Sequence, residues 1–340
     1  MTKLQLDTIQ ARIDALYESK PESPRAHLGC SLLGHHCDRW LWLSFRWAVI
    51  EQFPGRILRL FKRGQMEEST LTANLRAIGI DVRDAQQRVN FGKFVSGSLD
   101  GIAKSGVPEA PHKAHIVEYK THSLKSFNEL EKEGVEKSKP MHYAQMQLYM
   151  AGTDIDRALY VAVCKDDDRI YTERVRFDKE TANNLIARGH RITMSERMPE
   201  PCSTDSTWYQ CRFCPAHDMC YGSKTTKQVN CRTCALSTPC ENSTFTCARY
   251  DNSEIPTDAQ INGCECHVLH PDLVPWQRHD SPSDWIAMYK IDGNLVQNGE
   301  PDANVFSSKE LLADAKACAN ADAFVREARI ELNGRIAGPC

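Results

Sequence analysis

The sequence predicts an α/β fold, a central sheet of three or four strands flanked by helices, with a small metal-stabilised module behind it. Three observations carry this. Apolar residues recur at helical spacing near the N-terminus, and a run of strand-like segments follows before helix and strands alternate again. Near residue 222 the composition changes to the linker-like "GSKTTKQ". Fifteen cysteines occur in 340 residues, and they crowd into 202–266.

Residues 1–20 show helical periodicity with charges throughout and end at "PESP". "CDRWLWLSFRWAVI" (37–50) is aromatic-rich and reads as helical. "RILRLFKRGQMEESTLTANLRAIG" (56–79) keeps the same spacing and stops at Gly79, a C-cap signal. Strand-like runs follow at 87–95, 97–104 and 114–121, then a polar stretch (122–140) and a helix at 141–151. Residues 157–167 and 169–177 read as a hairpin, and 179–196 as a helix. The last segment, 276–340, holds two short strand-like runs and the helix "SSKELLADAKACA". These readings give three regions: 1–225, a metal-binding module at 226–275, and a small α+β segment at 276–340.

Net charge is −3, so any nucleic-acid binding must come from local patches. No apolar run reaches membrane-spanning length and the N-terminus is no secretory signal, which points to the cytoplasm and to no membrane partner. In that reducing compartment, cysteines at short spacing suggest metal rather than disulfides.

"IVEYKTHS" (116–123) places Glu118 and Lys120 two positions apart on a strand, so both project from one face. Upstream, "VSGSLDGI" sets Asp100 at a turn, where adjacent antiparallel strands would bring it beside Glu118. Two carboxylates and a lysine suit a hard cation, Mg²⁺ or Mn²⁺. Such an ion activates water and neutralises a phosphate, while Lys120 stabilises developing negative charge. Asp100 followed by "EYK" resembles the D…(D/E)xK signature of the PD-(D/E)XK nucleases. "YAQMQLYM" puts Gln145 and Tyr149 on one helix face and resembles the Q-x-x-x-Y motif of the RecB-like exonucleases. The resemblance implies a restriction-endonuclease-like mixed sheet and catalytic roles for Asp100, Glu118, Lys120, Gln145 and Tyr149. It also implies a further metal ligand on the preceding helix, Glu67 or Glu68, with spacing from Gly64 favouring Glu67.

"YQCRFCPAHDMC" is C-x2-C-x5-C, with Cys211, Cys214 and Cys220; thiolates so spaced hold zinc or an iron–sulphur cluster. Cys37 is the leading fourth ligand, Cys30 a lesser one, and Cys202 is left unliganded. One N-terminal cysteine and this triplet, bracketing the nuclease motifs, resemble the CRISPR-associated and AddB-type iron–sulphur nucleases. That resemblance implies a [4Fe–4S] cluster clipping the ends of the nuclease domain together. A second group, Cys231, Cys234 and Cys247 with Cys264 and His267 as candidates for the fourth place, has the spacing of a structural Zn²⁺ site.

Arg56, Arg59, Lys62 and Arg63 form a basic face suited to phosphates or simply to solvent, and Trp40, Trp42, Phe45 and Trp47 offer stacking for bases but read more readily as core. The resemblance then implies a metal-dependent DNA exonuclease acting on DNA ends, single strands included, in recombination or end processing. No phosphate-binding GxxxxGK[ST] motif is present, so a stand-alone nuclease of phage or prophage type is expected, with an annealing or recombination protein as partner. The competing readings are a structure-specific or nicking endonuclease of the same superfamily, and a metal-bearing DNA-binding or redox-sensing protein.

Overall fold

A computed structural model of the chain describes residues 8–20, 23–222 and 224–338; residues 1–7 of the first expected helix lie outside it. The chain divides into two compact units, 1–35 with 51–191 and 36–50 with 192–340. This differs from the division expected at 225, because 36–50 and everything from 192 onward fall in one unit.

In chain order the elements are α1 (Ile9–Glu18), β1 (Leu28–Gly29), α2 (Asp38–Phe45), α3 (Gly55–Ala77), β2 (Val82–Arg83), β3 (Arg88–Asn90), β4 (Val95–Ser98) and β5 (Gly101–Ala103). They continue with β6 (His115–His122), α4 (Leu124–Ser138), α5 (Pro140–Thr153), β7 (Arg157–Cys164), β8 (Ile170–Arg176) and α6 (Lys179–Met194). In the first unit, a five-stranded sheet runs β2-β5-β6-β7-β8, and a three-stranded sheet runs β1-β4-β3. β6 and β7 are parallel, in register from Ile116↔Ala158 to His122↔Cys164. The other pairs of the larger sheet are antiparallel. Parallel neighbours need a crossover, and α4 and α5 supply it. The fold class is therefore the expected one: a mixed sheet flanked by helices.

The two faces of β6 differ in chemistry. Val117 and Tyr119 point to a core built with Leu71, Val82, Leu159 and Val161, against which Leu75 of α3 also packs. Glu118 and His122 point to the opposite face, where α4 and α5 lie against β6 and β7. Helix α3 ends as its sequence signals, with Gly79 at φ +90° just beyond the last turn. The polar stretch 122–140 is itself helical: Phe127 and Leu130 share one face of α4 and are fully buried. Its apolar residues, Leu124, Phe127, Leu130 and Val135, are scattered among charges and gave little periodicity to read.

The second unit adds α7 (Tyr209–Arg212), α8 (His217–Tyr221), β9 (Ser237–Pro239), β10 (Phe245–Cys247), β11 (Ser253–Ile255) and α9 (Thr257–Gln260). After these come β12 (Gln277–His279), β13 (Ala287–Ile291), β14 (Asn294–Asn298), β15 (Val305–Phe306), α10 (Ser308–Ala319) and α11 (Ala323–Glu331). α2 is shorter than the expected helix and stops at Phe45, and Trp47 adopts φ 51°. Trp40, Trp42, Phe45 and Trp47 are all buried, so they are core, the favoured of the two readings of this stripe. Two buried arginines lie against these rings: Arg232 with Cζ 3.9 Å from the Trp47 centroid and Arg46 with Cζ 5.2 Å from that of Trp42.

The expected 226–275 module does not have a core of its own. Cys234, Val268 and Leu269 pack in one cluster with Ala287, Tyr289, Val296, Phe306 and Leu311. Within that region Arg329 donates to both carboxylate oxygens of Glu310 at 2.8 Å, and both residues are buried. Removing one partner of such a pair strands the other's charge. Glu310→Ala is expected to lower stability by about 3–5 kcal/mol, read by urea unfolding of the full chain; a loss below about 1 kcal/mol would contradict this packing.

Candidate active site and thiol clusters

The register of β5 on β6 pairs Gly101 with Val117. One step further sets Asp100 opposite Glu118, and the Tyr119 N–H donates to Asp100 Oδ2 at 2.9 Å. Glu118 and Lys120, alternate residues of β6, meet as an ion pair between Nζ and Oε1. Glu118 is fully buried, and its second oxygen, Oε2, has no hydrogen-bond partner among the described residues. An orphaned, buried carboxylate oxygen is costly and implies something further to bind.

Burial pushes the Glu118 carboxyl up to about 8; Lys120 opposes the shift, and Asp100 and Glu68 add to it. Asp100 is also raised, first by burial, against the pull of Lys120 and the Tyr119 N–H. For Lys120, burial works against the charge but Glu118, Asp100 and Glu68 outweigh it, and its pKa rises. Glu68 is raised by burial and then by Asp100. Of the two helix glutamates, therefore, Glu68 shares the field of this centre. Spacing from Gly64 favoured Glu67, its neighbour on the same helix. The helix phase at Glu68 is right because Leu71 and Leu75, three and seven residues on, face the sheet.

On α5, Gln145 Nε2 donates to the Tyr149 hydroxyl at 3.1 Å, and both residues are buried. The charge of Glu118 acts on Tyr149 as well, after burial, in raising its pKa. Gly97 of β4 makes this close approach possible: a Cβ there would lie 2.9 Å from Tyr149 Cε1 and 3.0 Å from Cys30 Sγ. Asp100, Glu118, Lys120, Glu68, Gln145 and Tyr149 thus come together within the first unit. Cys30 lies beside Tyr149 in that unit.

The thiols gather in the second unit. Cys202 Sγ lies 3.9 Å from Cys211 Sγ, and burial followed by the Cys37 and Cys211 thiols pushes Cys202 up to about 12. Burial also raises Cys214 to about 11, with Cys220, Cys37 and Cys211 contributing. Cys37, Cys211 and Cys220 all act on Cys214, and Cys37 and Cys211 act on Cys202, which the C-x2-C-x5-C spacing does not include. Cys37 caps α2 by accepting the Trp40 N–H at 3.4 Å. All five lie in 36–50 and 192–340.

Cys231, Cys234, Cys247 and Cys264 form the second group. Cys247 and Cys264 act on both Cys231 and Cys234, after burial. Cys234 Sγ accepts backbone N–H groups from Leu236 and Val268, each at 3.4 Å, which suits a thiolate. His267 is no ligand here. Its Nδ1 lies 2.8 Å from Ser308 Oγ, its Nε2 3.1 Å from both Thr233 Oγ1 and Asn230 O, and the ring is buried. Both nitrogens are committed to the core, which leaves Cys264 as the fourth member. Among the described residues no three His, Cys, Asp or Glu side chains are already placed to hold a metal ion; what is drawn together is the set of neighbours.

No family model and no curated protein matches the chain. Among solved structures it is similar to a protein described as SSO0001, at 14% identity and TM-score 0.38 over 63% of this chain and 94% of that one. It is also similar to the alkaline exonuclease LHK-Exo from Laribacter hongkongensis, at 14% identity and TM-score 0.33 over 52% of this chain and 90% of that one. A phage-related exonuclease from Haemophilus somnus follows, at 19% identity and TM-score 0.28 over 38% of this chain and 67% of that one. At these identities and TM-scores none of them assigns an activity to this chain. Among the described residues no helix is long and apolar enough to cross a membrane.

The raised Glu118 carboxyl has a consequence for stability. Between its ordinary value of 4.5 and about 8, the folded chain holds a proton that the unfolded chain has lost. Stability without metal therefore falls as pH rises through that window. At pH 9 in EDTA, Glu118→Gln is expected to melt a few degrees above the parent, on the scale of about 2–4 °C per kcal/mol, and the gain should vanish near pH 4. A thermal melt in which the variant is less stable at pH 9 would contradict the assignment.

Proposed function

We propose that the chain is a metal-dependent DNA exonuclease of the PD-(D/E)XK type, RecB-like, acting on DNA ends in recombination or end processing. The observation that carries this is the buried Glu118 with an unpartnered Oε2, set beside Asp100, Lys120 and Glu68. A lone turn aspartate and a surface Glu–Lys pair would have no reason to be buried together.

The donors that would hold Mg²⁺ or Mn²⁺ are carboxylate oxygens of Asp100, Glu118 and Glu68, which suits a hard cation. Such an ion, when bound, neutralises charge on the scissile phosphodiester and activates water. Lys120, anchored on Glu118, presents a cation where negative charge develops during attack on phosphorus. Gln145 and Tyr149, hydrogen-bonded to each other on α5, position groups against the buried face of β6. A DNA-binding or redox-sensing protein has no use for a lysine beside three acids, so Lys120 favours catalysis.

The thiol groups fit metal by donor chemistry. Cys37, Cys211, Cys214 and Cys220 are proposed to hold a [4Fe–4S] cluster, with Cys202 near enough to compete for a place. Cys231, Cys234, Cys247 and Cys264 are proposed to hold a structural Zn²⁺. Partners on this reading are DNA ends, single strands included, and a recombination or annealing protein.

One experiment tests the reading. Anaerobically purified protein is assayed for iron, sulphide and zinc, then incubated with end-labelled linear DNA and closed circular DNA, with Mg²⁺, Mn²⁺ or EDTA. The expected result is digestion of linear DNA only, dependent on the added cation. Lys120→Ala should reduce the rate by about 10²-fold or more, as loss of a transition-state donor does. Undiminished digestion by Asp100→Ala would refute the assignment, and efficient nicking of closed circles would replace it with an endonuclease. Colourless protein containing zinc alone would replace the cluster while leaving the nuclease intact.

A further inference from the structure

Three polar side chains beside the carboxylate centre serve no role in the account above. His142 stands three residues before Gln145 and seven before Tyr149, so all three share one stripe of α5. Gln145 and Tyr149 are buried, while His142 is half-buried at the stripe's outer end. Its Nδ1 lies 2.8 Å from the Tyr160 hydroxyl, and the two rings stack at 27°. The same hydroxyl lies 2.8 Å from His122 Nε2, and Ser126 Oγ lies 3.2 Å from His122 Nδ1. Tyr160 has no exposure and pairs directly with Glu118 in the β6–β7 register.

We propose that His142 contacts the DNA strand, donating an Nε2–H to a backbone phosphate next to the scissile one, with Tyr160 and His122 as positioning residues that fix its tautomer. The inference takes the nuclease reading as its premise for where the strand runs.

A tyrosine hydroxyl has one proton, so it donates to one imidazole and accepts from the other. The chain therefore has two polarities. In one, Ser126 donates to His122, His122 to Tyr160 and Tyr160 to His142 Nδ1, which leaves a proton on His142 Nε2. In the other, every bond reverses and Nε2 offers a lone pair. Nε2 of His142 has no hydrogen-bond partner among the described residues, so either polarity ends on an open atom. Lys120 and Lys139, ion-paired to Glu118 and Glu129, act on both rings, and Lys165 acts on His122 as well. Burial first and these lysines second hold His142 at about 3 and His122 at about 4, so both stay neutral. A phosphate drawn in by the lysines meets a neutral donor in the first polarity and a repelling lone pair in the second, so bound DNA selects the first. A network that merely tied α5 to the sheet would end on a satisfied atom, not on a half-exposed ring.

The test uses the full chain carrying Asp100→Ala, with a labelled single-stranded oligonucleotide in EDTA. His142→Leu is expected to weaken binding about ten-fold, the size of one hydrogen bond to a charged group. His142→Gln, which keeps an N–H at the same reach, should recover most of it, and Tyr160→Phe should fall between. Nitrogen NMR of the complex should show the proton on His142 Nε2, and Tyr160→Phe should mix the tautomers. Unchanged binding in His142→Leu, or an unprotonated Nε2 in the complex, would overturn the inference. Binding in EDTA does not depend on cleavage. A chain that binds through His142 but never cuts would sink the nuclease reading alone, and one that cuts with unchanged binding in His142→Leu would sink this inference alone.

Discussion

Burying Glu118 is the constraint on which the first unit turns. A carboxylate without solvent is unfavourable unless neutralised or paired, and here one oxygen has Lys120 while the other has nothing. The neighbours cannot relieve it, because Asp100 and Glu68 carry the same sign. The surroundings accommodate a carboxyl without solvent, which holds its proton until a cation replaces it. β6 is covered on both faces, the Tyr119 N–H is spent on Asp100, and Gly97 gives up a side chain so that Tyr149 can approach. The arrangement is a poor way to stabilise a sheet and a good way to bind a cation.

The second unit solves a different problem. Its core combines short strands with two buried arginines set against aromatic rings and a buried Arg329–Glu310 pair. The thiols gather in this same unit. The sharing of one core by Cys234, Leu269, Tyr289 and Phe306 makes the region from 226 to the C-terminus a single packing problem.

Legibility in the sequence tracked how local each signal was. The i, i+2 pairing of Glu118 with Lys120 and the i, i+4 pairing of Gln145 with Tyr149 follow from strand and helix geometry, so "EYK" and "QMQLY" were enough. Asp100 opposite Glu118 needed only a short strand–turn–strand step. Glu67 and Glu68 are separated by the phase of α3 on the sheet, which Leu71 and Leu75 set and which counting from Gly64 does not give. Tertiary partners were out of reach altogether. His267 reads as a zinc ligand until Ser308, forty-one residues on, takes its Nδ1. Cys202 breaks the thiol spacing yet lies against Cys211. Trp42 of α2 packs on nearby Arg46, but Trp47 packs on Arg232, far along the chain.

The central claim is that Glu118 is protonated in the metal-free protein at neutral pH and gives up that proton to a cation. Calorimetric titration with Mn²⁺ in two buffers of different ionisation enthalpy measures this directly, since the buffer dependence of the heat counts protons released per ion. The account predicts release approaching one proton per ion at pH 7, fading to none above pH 9, and absent in Glu118→Gln. Binding of Mn²⁺ at pH 7 with no proton released would contradict it.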